Sequence, residues 1–221
     1  MMLKNILIGI VVPLSILLPI GVFIFKYKYA DRAMKTIFYY LIAAGITNLT
    51  AILLIEMGMR NLPLLHVYTV VETLFFLSYF KSIFNSQKIS RYLNLLMVVF
   101  PIICIINFLF LQDIFSFNTY TRPLEALIIT AICLFYLYRS GFVEDLMKKP
   151  VSWVNIGIMA YFPAASIIFL MSNYFVFKSY NKELNTLVWN IHSLLVLIMY
   201  LAFTKAFTLI PKTKKVNGAA K

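Results

Sequence analysis

The chain has 221 residues, of which 62% are hydrophobic and only 13% charged, and its formal net charge is +12. A soluble domain of this length needs a larger share of polar residues to cover its surface. The apolar residues are gathered in runs of roughly 20, which is the length of a helix that crosses a bilayer. Composition therefore excludes a soluble globular domain and indicates an integral membrane protein, with the lipid bilayer as its first partner.

The apolar runs predict an all-α bundle of seven transmembrane helices. In chain order they cover residues 5–25, 36–55, 63–84, 92–111, 123–138, 151–171 and 184–209. The first run is interpreted as an uncleaved spanning helix, because the polar segment KYKYADR follows it where a signal peptide would show a small-residue cleavage site. The connections are too short for a second domain. We therefore expect one membrane domain over 1–210 and a polar cytoplasmic tail over 211–221.

Small residues in the sixth run predict a close helix contact. Gly157, Ala160 and Ala164 share one face by helical spacing, and such faces let two membrane helices approach closely. The two cysteines, Cys104 and Cys133, lie inside apolar runs. They are interpreted as small core residues and not as a disulfide pair.

The basic residues predict the orientation of the bundle. Alternate loops of a membrane protein differ in their Lys and Arg content, and the cytoplasmic side carries the excess. Of the twenty Lys and Arg residues, fifteen fall on one side, and the five on the other are Lys4, Arg60, Arg122, Lys178 and Lys182. This asymmetry places the N-terminus outside and the C-terminus in the cytoplasm. It also explains the positive charge without a nucleic-acid partner, for which the sequence shows no motif.

Ionisable and polar side chains gather in the outer half of the predicted helices. At about 1.5 Å per residue, Glu72, Asn48 and His192 lie roughly 10 to 12 Å below the outer boundary, and Glu125 lies at about 4 Å. A charged side chain at the centre of a bilayer costs about 3 kcal/mol, so such groups face the bundle interior or a wet cavity. We therefore predict an outward-facing polar pocket. Its candidate ligand-binding residues are Asn48, Tyr68, Glu72, Glu125, Trp189 and His192.

Each of these residues also has a structural interpretation. Glu125 lies in a first helical turn, where a carboxylate complements the helix dipole, and Asn48 is typical of polar contacts between membrane helices. His192 could be a core histidine bonded to a carbonyl, and Trp189 could belong to the interfacial aromatic belt. A purely structural Glu72 would need a partner, for which the sequence suggests His192.

Two motifs carry a resemblance to known proteins. Glu72 follows Tyr-Thr in the third helix, and Trp-Asn-x-His ends at His192 in the seventh. This layout resembles a group of small bacterial seven-helix membrane proteins, which implies an inner (cytoplasmic) membrane location and assigns no activity. Retinal-binding proteins need a lysine in the middle of the last helix, whereas Lys205 lies near its cytoplasmic end. The seven-helix metal hydrolases use three histidines, whereas this chain has two.

Three function classes follow from these residues. We expect first a sensor, receptor-like or accessory module that binds a small or amphiphilic ligand and acts through a membrane or cytoplasmic protein partner. The second is a transporter of a small solute, or a proton-linked one using Glu72. The third is an intramembrane metal-dependent hydrolase with Glu72, Glu125 and His192 as ligands. The sequence leaves the metal open, indicates no cofactor and identifies no catalytic residue, so we do not expect an enzyme.

Overall fold

A computed structural model describes residues 11–141, 146–175 and 181–212, and within these ranges the regular structure is entirely helical. Seven helices follow one another, with a short 3₁₀ turn over Leu146–Lys148 before the sixth. Their bounds are α1 Val12–Lys26, α2 Arg32–Glu56, α3 Leu62–Phe84, α4 Gln87–Ile106, α5 Thr121–Ser140, α6 Pro150–Asn173 and α7 Lys182–Thr208.

Six of these helices, α2 to α7, are long and apolar enough to cross a membrane, and α1 is a shorter apolar helix within the described residues. The protein is therefore a polytopic helical membrane protein, as its composition predicts. Residues 5–10 of the first predicted run and residues 213–221 of the predicted tail lie outside the described residues. The observed α2 begins four residues before the predicted run, because Asp31 accepts a hydrogen bond from the backbone N–H of Met34 at 2.8 Å and caps the helix there.

Prolines shape the helices in two ways. Pro63 and Pro150 lie in the first turns of α3 and α6, where a missing N–H costs nothing. Pro101 and Pro163 lie inside α4 and α6, which continue past them. The predicted fourth helix ends differently from a regular α-helix, because its last turn widens into a π-helix over Asn107–Leu111. The side chain of Asn107 is buried there and contacts Gln112.

The bundle is organised around α3 and α6. Helix α3 packs against α2, α4 and α5, and α6 packs against α5 and α7, while α1 lies against α7. Helices α6 and α7 approach closely at Gly157, where a Cβ atom would come within 2.9 Å of the Phe203 ring and 3.2 Å of the Ala202 side chain. The sequence predicts a close helix contact at the small residues of the sixth apolar run, and Gly157 makes such a contact.

The bundle has two ends, which we call the α2–α3 end and the α3–α4 end. The α2–α3 end carries the connections from α2 to α3 and from α4 to α5. The α3–α4 end carries the connections from α1 to α2 and from α3 to α4. Towards the α3–α4 end the core contains buried aromatic rings, including Phe76, Phe80, Phe162 and Phe203. The polar cluster lies on the other side of these rings, towards the α2–α3 end.

Candidate functional site

Arg122 joins two carboxylates from different helices. Its Nη1 donates to Oε2 of Glu72 on α3 and, at 2.6 Å, to Oε2 of Glu125 on its own helix α5. The side chains of Glu72 and Glu125 are 1% and 0% exposed, and that of Arg122 is 9% exposed. Breaking a buried ion pair by removing one partner leaves an uncompensated charge, so these three groups stabilise one another.

Hydroxyl groups satisfy the remaining carboxylate oxygens. Tyr40 on α2 donates to Oε1 of Glu72 at 2.7 Å, and Tyr68, one turn before Glu72, donates to the same oxygen at 3.1 Å. Thr73 Oγ1 lies 2.8 Å from Oε1 of Glu125 and 2.8 Å from the Thr69 carbonyl oxygen, so its one proton is shared between them. Every oxygen of the two carboxyl groups therefore has a polar partner, and the cluster ties α2, α3 and α5 together.

Asn118 sets the position of Arg122. Its Oδ1 accepts hydrogen bonds from the backbone N–H groups of Thr121 and Arg122, at 3.0 and 3.1 Å. It thereby satisfies two N–H groups in the first turn of α5. Its Nδ2 donates to Thr69 Oγ1 on α3 at 3.3 Å. The turn that carries Arg122 is thus fixed both to its own preceding loop and to the helix that carries Glu72.

The α4–α5 loop is itself held by amide side chains. Gln112 donates to the backbone oxygen of Phe117 at 2.8 Å, and Asn173 at the end of α6 accepts from the Phe117 N–H at 3.1 Å. The Phe117 ring then lies 5.6 Å from the Trp189 ring, centroid to centroid. These contacts place an aromatic residue of the loop beside α7.

A second arm of the network reaches α7. Arg122 Nη2 donates to the Tyr161 hydroxyl at 3.3 Å, and that hydroxyl lies 3.1 Å from Nε2 of His192. The imidazole packs edge-on against the rings of Tyr161, Phe169 and Trp189. Glu72 and His192 are therefore linked through Arg122 and Tyr161 and not by a direct bond.

A cavity of about 370 Å³ lies beside this network. Its polar wall includes Glu72, Arg122, Asn118, His192 and tyrosines 40, 68, 161 and 200. Its apolar wall comes from α1, α2, α3 and α7, and includes Val12, Ala51, Ile52, Leu65 and Val196. Lining residues Ile52 and Ile55 are 47% and 58% exposed, so the cavity reaches the surface of the bundle along α2.

The structure separates the six predicted site residues into two groups. Asn48, Tyr68, Glu72 and His192 line the cavity. Glu125 lies behind Arg122, fully buried, and Trp189 forms a second layer behind His192 and Phe169. Glu125 also lies level with Glu72, since one guanidinium nitrogen contacts both, whereas the sequence placed it much nearer the membrane boundary.

The structural partner of Glu72 is Arg122, and the expectation that this partner would be His192 is wrong. Sequence reasoning counted Arg122 among the loop charges and so missed it. The available signal was the spacing of Arg122 and Glu125, which are three residues apart and therefore share one face of a helix. Tyr40 and Tyr161 were also missed, because many aromatic residues with the same spacing simply fill the core.

Among the described residues, no group of three His, Cys, Asp or Glu side chains is placed to hold a metal ion. The position between the two carboxylates is taken by the Arg122 guanidinium. His66, the other histidine, lies 3.1 Å from the Ser116 carbonyl oxygen and packs against Phe108, away from the cluster.

Comparison with protein-family models, with curated proteins and with solved structures found no match. The functional interpretation therefore rests on the geometry and chemistry of the cavity.

Proposed function

We propose that this protein binds a small amphiphilic molecule in the cavity beside Arg122, and acts as a sensor or accessory module in the membrane. The observation that carries the proposal is the contrast between the two walls. A buried charged network forms one wall, and aliphatic side chains that continue to the bundle surface form the other. A cavity of about 370 Å³ has the size of a small-molecule site, and the polar groups of its wall can fix the orientation of a ligand.

The packing below the network favours binding over transport. Phe76 packs edge-on against Phe162, with ring centroids 4.9 Å apart, and both rings are almost fully buried. Tyr40 packs against Phe76 at 4.7 Å and against Phe203 at 6.4 Å. A polar solute leaving the cavity towards the α3–α4 end would have to displace this aromatic layer. A binding protein does not need such a path.

The proposed orientation places the α2–α3 end, and with it the cavity, on the outer side. The excess of Lys and Arg at the other end supports this orientation. Arg122 is buried in the network and is not a loop charge, so the asymmetry between the two sides is larger than fifteen to five. The location that fits is the inner membrane of a bacterium. The exposed Lys88 and Lys149 then face the cytoplasm, where a protein partner can dock on the basic loops.

The proposal is tested by filling the cavity. Ala51 lines it, whereas Leu49 on the same helix is 64% exposed and does not, so Ala51→Trp and Leu49→Trp form a matched pair. Each variant is purified from native membranes in parallel with the unaltered protein, and copurified molecules are identified by native mass spectrometry. We expect an amphiphile that is retained by the Leu49→Trp variant and lost from the Ala51→Trp variant. The same copurified molecules in both variants would rule out this cavity as the site.

A further inference from the structure

The acidic and basic groups beside the cavity are unequal in number. The two carboxyl groups of Glu72 and Glu125 share the single positive charge of Arg122. One guanidinium balances one ionised carboxyl group, so the second can ionise only if another cation lies close to it. A cation in the cavity can supply that charge, because Glu72 and Arg122 both line it.

We propose that the ligand of this cavity presents an ammonium group to Glu72 and lays an apolar chain against α2 and α7. This inference rests on the proposed function, since it names the ligand class of the same cavity.

An anionic group is disfavoured at this site although Arg122 is present. Both carboxylates contact Nη1 of Arg122, and the Tyr161 hydroxyl accepts from Nη2. The faces of the guanidinium are covered as well, because its carbon lies 5.0 Å from the Phe169 ring centroid and 5.6 Å from that of Tyr68. An anion would meet an arginine whose charge is already balanced by a carboxylate.

The remaining polar wall suits an ammonium group better than a strongly hydrated inorganic cation. Tyr40, Tyr68, Tyr161 and Tyr200 all line the cavity. Their hydroxyl oxygens can accept from N–H groups, and aromatic rings attract alkylammonium ions electrostatically. The lining along α2 includes the apolar residues Ala51, Ile52 and Ile55, and the two isoleucines reach the bundle surface. A chain attached to the ammonium group can therefore extend along α2 towards lipid.

The test compares three probes with the same chain and different head charges. The protein is kept in uncharged maltoside micelles with Trp153→Phe, which leaves Trp189 as the sole tryptophan of the two in the chain. Trp189 reports on the cavity because its ring packs against those of His192 and Phe169, which line it. Octylammonium, octanol and octyl sulfate are titrated in turn. We expect a saturable fluorescence change with the ammonium probe at concentrations at least about tenfold lower than with the others.

Charge variants separate a charge effect from a contact effect. Glu125→Gln removes the second acidic group from behind Arg122 without altering a cavity-lining side chain, and Glu72→Gln removes the acidic group at the wall. Both are expected to abolish the preference for ammonium over octanol. Glu56→Gln, an exposed change at the end of α2, should leave the preference intact. If neither buried variant folds, the three-probe comparison on the Trp153→Phe protein still tests whether the cavity prefers an ammonium head group.

The outcomes distinguish this inference from the proposed function. Equal binding of all three probes, or tighter binding of octyl sulfate, each blocked by Ala51→Phe, which fills the cavity without adding a tryptophan, would overturn the ammonium assignment and leave the amphiphile site standing. The absence of any saturable response would overturn both. Competition then identifies the source of the ammonium group. Displacement of the probe by a short-chain phosphatidylethanolamine, but not by phosphatidylglycerol, indicates a lipid headgroup, and displacement by free choline indicates a water-soluble amine.

Discussion

Glu72 and Glu125 share a single donor atom, Nη1 of Arg122, although they belong to different helices. This relationship fixes α3 against α5 at the depth of the cavity and sets the charge of its polar wall. The three side chains thus connect the stability of the bundle to the chemistry of the site. Substitutions here should affect both properties, and comparison with changes elsewhere in the bundle separates them.

Removing Arg122 should destabilise the bundle strongly. Arg122→Gln leaves two buried carboxylates without their cation, and breaking such a network costs about 3–5 kcal/mol of unfolding free energy. Arg139→Gln on the same helix changes the same charge at an exposed position and should have little effect. Unfolding in mixed micelles of mild detergent and dodecyl sulfate measures both. A double change, Arg122→Gln with Glu125→Gln, should recover part of the loss; simple additivity would show that the two residues are not coupled.

The small residue at the α6–α7 contact should be essential to packing. Gly157→Ala places a Cβ atom 2.9 Å from the Phe203 ring, and overpacking of this kind costs about 1–3 kcal/mol. Gly21→Ala on α1 is the matched control, because a Cβ there would meet nothing within 4 Å. The same unfolding assay should show a loss for the first variant and no loss for the second. Equal stability of the two would mean that α6 and α7 separate at little cost.

How far the sequence predicted this structure depends on the kind of residue. Six spanning helices and the close contact at Gly157 follow from run length and small-residue spacing, because both are local properties of the chain. The ion pair between Glu72 and Arg122 joins α3 to the first turn of α5. Such a pairing depends on which helices are neighbours, and hydropathy does not determine that. Arg122 also lies next to a predicted helix end, where a basic residue normally faces water. Its position in the sequence therefore predicts a solvent-exposed loop residue.

Asn118 should act on ligand binding through Arg122. Asn118→Ala removes the acceptor for the Thr121 and Arg122 backbone N–H groups and should lower stability by about 1 kcal/mol. It should also weaken retention of the copurified amphiphile, because the turn carrying Arg122 loses its anchor. Asp31→Ala removes a comparable cap, the one that accepts from Met34 N–H on α2, and is the control for cap loss. Equal retention by both variants would leave Asn118 with a capping role only.

The orientation of the bundle can be measured independently of any ligand. Cys104 and Cys133 are both buried, and replacing them with alanine gives a background without native thiols. Single cysteines are then introduced at Met59 in the α2–α3 connection and at Lys88 near the start of α4, both of which are exposed. If the α2–α3 end is outside, a membrane-impermeant maleimide added to intact cells labels the Met59 position alone, and the Lys88 position reacts only after permeabilisation. Labelling of the Lys88 position in intact cells would reverse the bundle and place the cavity on the cytoplasmic side, where its ligand would have to come from the cell interior.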